Sequence, residues 1–144
     1  MDIPQFQTEE LIEVLEPFQQ NLLKSILAEH TEEEALEIWI QVAGPEHTAS
    51  FGGNGIKDYL KHFKAEFDLL ILGDEKYSSV IKEFNEHKQV TKFFVVSSLS
   101  AALAVNLGIA AGVVAPLIVL ALGTVGKIGL NAYRDSIKDK YNKE

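Results

Sequence analysis

The sequence predicts an all-α protein: a small cytosolic helical module followed by a C-terminal apolar helical hairpin, or by one long kinked membrane helix. Three observations carry that reading. Apolar residues recur at spacings of three and four through residues 1–90. The run from Phe93 to Gly126 then carries no charged residue at all. And the one short segment that would suit a buried strand, Phe67 to Leu72, has no evident partner strand.

The elements follow in order. Thr8 ahead of Glu9 and Glu10 reads as an N-cap followed by acids that suit a helix start. Leu11, Ile12, Leu15, Phe18, Leu22, Leu23, Ile26 and Leu27 then keep helical spacing, with Pro17 inside the pattern. A proline there kinks the helix or starts a second one, because it has no N–H to give. Thr31 and Glu34 form a capping box for a helix that carries Trp39 and stops at Gly44-Pro45. After a loop, Ile56, Tyr59, Leu60, Phe63, Phe67, Leu70 and Ile71 predict another helix, ended by Gly73. Asp74 caps the next, which carries Tyr77, Val80, Ile81 and Phe84. Glu86 to Lys92 contains neither Gly nor Pro, so no residue there enforces a break before the apolar run.

Composition bounds the function. A chain of 144 residues allows one compact domain, or a smaller domain with an appendage. The absence of cysteine excludes disulfides and thiolate metal sites. The acidic, amphipathic N-terminus lacks the basic start of a secretory signal, so the first module is expected in the cytoplasm. Up to Thr91 there are 18 acids against 7 lysines, a net of −11; from Lys92 onward 3 acids face 6 bases, a net of +3. An acidic module does not neutralise phosphates, so nucleic acid is not an expected partner.

No constellation of catalytic type stands out, and neither an enzyme nor a cofactor is expected. Ser50 near His47 lacks the elbow motif of a serine hydrolase. His62 with Glu66, and Glu83 with His87, have the spacing of two ligands on one helix face, which is common on polar helices, and no metal site is expected. The glycine-rich loop between Pro45 and Gly55 lacks the P-loop ending. It reads first as a tight turn. Its alternative role is partner recognition through His47, Phe51, Gly52, Gly53, Asn54 and Gly55.

The apolar run, residues 91–132, is the main functional signal. As one straight helix it would extend roughly 50 Å, against about 30 Å of bilayer hydrocarbon. A hairpin divides it into legs of about Thr91–Gly108 and Val114–Asn131, with the turn near Gly108 and Gly112 and Pro116 in the first turn of the second leg. A single span and burial within a soluble fold remain the alternatives. The hairpin places Lys88, Lys92, Lys127, Arg134 and Lys138 on one side of the membrane, as the positive-inside bias favours. Ser100, Ala104, Gly108 and Gly112 form one small-residue stripe on a continuous helix, and Gly123, Gly126 and Gly129 form a second at spacing three. Such stripes let helices in lipid approach closely. Residues 133–144 read as a basic amphipathic tail, with Tyr133 and Tyr141 at headgroup level.

In outline this plan resembles small effectors in which a cytosolic helical module controls a membrane-active segment. Bacterial abortive-infection effectors and pore-forming toxins with apolar hairpins share it. The likeness is one of architecture and is carried by no sequence motif. The expectation is a self-associating, non-enzymatic membrane protein that perturbs or permeabilises a bilayer, with membrane lipid and its own copies as partners and a possible protein partner for the module. A tail-anchored adaptor is the first alternative. A soluble helical protein that buries the run, or binds a hydrophobic ligand with it, is the second.

Overall fold

The computed structural model describes residues 3–43 and 55–142, and all the secondary structure in them is helical. The α-helices are α1 (Thr8–Ile12), α2 (Pro17–Leu27), α3 (Glu32–Ala43), α4 (Gly55–Leu72), α5 (Ser78–Glu86), α6 (Lys92–Leu107), α7 (Ala111–Ile128) and α8 (Leu130–Asn142), with a 3-10 turn at Glu75–Tyr77 before α5. The all-α class is as the periodicity predicts. Phe67 to Leu72 belongs to α4 and forms no strand.

Local chemistry explains most of the boundaries. Pro17 is the first residue of α2, where its missing N–H removes nothing from the helix. The box at Thr31 closes both ways: the Thr31 N–H donates to Glu34 Oε1 at 3.0 Å, and the Glu34 N–H donates to Thr31 Oγ1 at 3.2 Å. Asp74 accepts from the Lys76 N–H at 2.9 Å. At the first helix the cap is one residue earlier than expected. Gln7 occupies it and its N–H donates to Glu10 Oε1 at 3.2 Å, while Thr8 is buried and turned to other work. The chain also breaks before the apolar run without Gly or Pro. Thr91 starts α6 afresh by accepting the Phe94 N–H at 3.1 Å.

The run folds as an antiparallel hairpin, α6 against α7. Gly108 ends α6 with φ at +72°, a conformation that favours glycine. The second leg starts three residues earlier than expected, so Pro116 lies inside α7 rather than in its first turn.

α7 is the centre of the molecule. It packs chiefly on α6 and α3, then on α1 and α8. Leu117, Ile118, Val119 and Leu120 are each fully buried. Four consecutive buried residues cover more than one turn of about 3.6 residues, so the shelter must come from every side. Leu11 and Ile12 of α1, Ala35, Leu36 and Trp39 of α3, and Leu99 and Leu103 of α6 belong to the same core. The acidic part and the apolar part therefore share one interior.

Two measurements check this packing. Leu117→Ala is expected to lower stability by about 2–5 kcal/mol; a loss under about 1 kcal/mol in denaturant titration would remove Leu117 from the core. A chain cut to residues 1–90 loses the surface on which Trp39 packs. Its near-UV dichroism is expected to collapse while helical far-UV signal remains. A sharp cooperative melt of that fragment would contradict the shared core.

Candidate functional site

The site is the interface between the apolar hairpin and the acidic part of the chain. It begins with what α7 lacks. Pro116 has no N–H, so the carbonyl of Gly112, four residues back, has no partner in the helix ladder. The side chain of Gln19 on α2 supplies one: its Nε2 donates to Gly112 O at 3.0 Å. The other end of the same amide, Oε1, accepts the Glu16 N–H at 3.3 Å and so caps α2. Trp39 adds a bond from Nε1 to Val113 O at 3.1 Å.

The far end of α7 has a matching need, because the last four carbonyls of a helix have no partner within it. Gln5 donates from Nε2 to Gly126 O at 2.6 Å. Residues 3–7, extended ahead of α1, form a strap across this end of α7. The strap lies close because α7 presents glycine there. A Cβ on Gly123 would collide with the Thr8 hydroxyl, and one on Gly126 with the Phe6 carbonyl oxygen. Thr8 Oγ1 donates to Glu32 Oε1 at 3.2 Å, and Lys127 Nζ pairs with the same oxygen at 2.6 Å. One carboxylate on α3 thus ties the strap to the end of the hairpin.

The residues singled out in the sequence fall in distinct places. Ser100 is buried in α6, with no hydrogen-bond partner for its hydroxyl among the described residues. Ala104 is half-buried, Gly108 is the turn, and Gly112 is exposed in the first turn of α7. The first stripe is therefore divided by the hairpin turn and does not run along a continuous helix. Gly123 and Gly126 are buried: Gly126 admits the strap backbone at Phe6, and Gly123 admits the Thr8 side chain at the start of α1. Lys88 and Lys138 are exposed, and Lys92 pairs with Glu13. Arg134 donates from Nε to Ile71 O at 3.1 Å, and the Tyr133 hydroxyl donates to Asp68 at 2.6 Å, so this part of the tail docks on α4. His47, Phe51, Gly52, Gly53 and Asn54 lie outside the described residues, as does the side chain of Tyr141. Gly55 is the buried first residue of α4.

Sequence reasoning missed Gln5, Gln19 and Glu32. Pro116 carried a usable signal, since a proline inside a helix announces a carbonyl in need of a donor. Which distant side chain meets that need is decided only by the fold. One member of each metal-type pair is otherwise engaged. Glu66 accepts from Tyr77 at 2.6 Å and from Lys76 at 2.5 Å, and His87 Nδ1 lies 2.7 Å from Gln89 O. Among the described residues no group of three metal-ligating side chains occurs.

No protein-family model, curated protein or solved structure matches this chain.

Two predictions concern the strap. Gly126→Ala drives a methyl group into the Phe6 backbone and is expected to lower stability by about 1–3 kcal/mol. Gly112→Ala meets open space and is expected to be neutral or to stabilise by up to about 1 kcal/mol. Limited proteolysis should cut the strap sooner in the first variant only; equal cutting in both would separate the strap from Gly126.

The second prediction is a pH dependence. Burial acts to raise the Glu32 pKa. The Lys127 hydrogen bond, the backbone N–H, the Lys127 charge and the Thr8 hydroxyl together outweigh it and hold it below the ordinary 4.5. A depressed carboxylate contributes stability above its ordinary value and loses it as pH falls through the depressed one. The difference in melting temperature between wild type and Glu32→Gln should thus be full well above pH 4.5 and close below it. A gap independent of pH would detach the strap from this carboxylate.

Proposed function

We propose that the chain is a self-associating, effector-type membrane protein, whose apolar hairpin is stored in a helical bundle and released to perturb or permeabilise a bilayer. The N-terminal strap and α1–α3 are the restraining part.

One observation carries this reading: the outward face of α6. Phe93, Ser97, Ala101 and Val105, spaced every four residues, all face solvent, with Phe93 64% and Val105 83% exposed. Yet α6 holds one charged residue, Lys92, at its very start. A helix on the surface of a soluble bundle ordinarily carries charge on its outer side, and a helix without it belongs in a core or a membrane. α7 adds length, being long and apolar enough to cross a bilayer. α6 is apolar but shorter. The polar groups of the hairpin are compatible with lipid in part: Asn106 donates to Ala102 O at 3.2 Å and Thr124 to Leu120 O at 3.1 Å, each within its own helix.

A second reading is favoured by a different observation. The apolar window of α7 is 56% buried inside the fold, as the core helix of an ordinary soluble protein would be. In that case the hairpin never leaves the bundle.

Ala101→Lys separates the two. Ala101 is exposed at the middle of α6, so the lysine meets water in the stored form and should change stability by no more than about 0.5 kcal/mol. In a spanning hairpin it lies at mid-membrane and costs about 2.5–3.5 kcal/mol. Wild type is expected to bind vesicles of phosphatidylcholine and phosphatidylglycerol and release trapped dye, most readily at acid pH. The variant is expected to keep its melting temperature and lose both activities. If wild type stays monomeric and leaves vesicles intact across that pH range, the soluble reading replaces this one.

A further inference from the structure

The chain is acidic, with a formal net charge of −8, yet four of its lysines gather at one place. Lys57, Lys61 and Lys64 repeat at four and three along α4 and share a face. Lys140 of α8 lines the same depression of about 400 Å³. A second depression, of about 240 Å³, adjoins it and shares Lys64, Asp68 and Lys140. Its floor is apolar, from the buried Leu36, Phe63, Phe67, Ala121 and Ile137, and Glu33, Thr124, Tyr133 and Ser136 stand around it.

The charges are unevenly answered. Lys64 pairs with Glu33. Lys57, Lys61 and Lys140 form no ion pair among the described residues. Asp68, the other acid present, is buried and already takes the Tyr133 hydroxyl at 2.6 Å. Desolvation first, and then the nearby charge of Lys140, hold the Lys64 pKa below the ordinary lysine value, with Asp68 acting against them. The groove thus keeps excess positive potential beside an apolar recess. Concave sites with mostly apolar walls and a few placed polar groups are the usual form of small-molecule sites.

We propose that the groove between α4 and α8 binds a single-chain amphiphile with an anionic head, such as a free fatty acid. Lys57, Lys61 and Lys140 meet the head, and the chain enters between Phe63, Phe67 and Ile137. The lysines lie away from the α6 face and the strap, and because Ala121 of α7 walls the recess the proposal concerns the form in which the hairpin is packed in the bundle.

The test is a calorimetric titration of the full chain with laurate below its micelle concentration. Acetate provides the head without the chain, and phosphatidylglycerol vesicles provide anionic headgroups in a bilayer. Laurate is expected to bind at one saturable site and acetate not at the same concentrations. Lys61→Gln with Lys140→Gln, both exposed positions, should keep the melting temperature and weaken laurate by roughly tenfold or more, as loss of charge-assisted contacts does. Laurate affinity unchanged in the folded double variant overturns the proposal. So does acetate binding as tightly as laurate, or a dependence on these lysines seen with vesicles alone.

Discussion

Everything in this fold answers to the surface of α7. A helix that is apolar on every side has no face to give to water, and from Pro116 to Gly123 every residue of α7 is buried, while its two ends reach the surface. α6 covers it as the other leg of the hairpin, α3 lays its Trp39 side along it, α1 and the strap close the far end, and α8 turns back beside it. Fully burying one large aliphatic side chain contributes about 1.5–3 kcal/mol. The consecutive buried residues from Leu117 to Leu120 therefore fix the position of most other helices. The acidic part of the chain supplies amphipathic helices with one side to spare, and that side is spent on the hairpin.

Apolar burial sets where the elements go, but it has no direction. Direction comes from a few polar ties at the two ends of α7. Gln19 serves the carbonyl that Pro116 leaves open, and Gln5 serves one that the helix end leaves open. An unanswered carbonyl in a core costs about 1–3 kcal/mol, so a register shift of α7 is disfavoured by that amount at the buried Gly126 end and by less at Gly112, which is exposed. The glycines at 123 and 126 sharpen the choice, since a Cβ at the first would meet the Thr8 side chain and one at the second the Phe6 backbone. Glu32, accepting from Thr8 and Lys127 together, makes this arrangement sensitive to protonation.

Much of the architecture was legible in the sequence, for reasons that are local. Thr31 with Glu34, Pro17, Gly73 and Asp74 act within a turn of themselves, and each does in the structure what its chemistry predicts. The hairpin turn at Gly108 was legible for the same reason. What was not legible depends on partners far apart in the chain. Small residues in an apolar helix read equally well as a contact between membrane helices and as a seat for another segment. Gly123 and Gly126 take the second role here, and only the distance from Phe6 and Thr8 to α7 reveals it. Thr8 looked like a cap because its hydroxyl was assumed to act locally; it reaches Glu32 instead.

The ends of α7 also bear on how a released hairpin would meet a bilayer. Gly112 and Gly126, whose carbonyls the two glutamines satisfy, are about 21 Å apart along the helix. Without Gln5 and Gln19, those carbonyls need another donor, from water, a neighbouring helix or a local shift of the helix itself, because hydrocarbon offers none. Where the donor is water, it reaches them only at the two interfaces. A hydrocarbon core is about 30 Å thick, so both carbonyls stay wet only if the bilayer thins around the hairpin. α6, shorter still than α7, makes the same demand. Thinning costs a fraction of a kcal/mol for each ångström of mismatch and favours association of short segments, which share the thinned patch. On the proposal that the hairpin is released, self-association and bilayer perturbation would then have one cause.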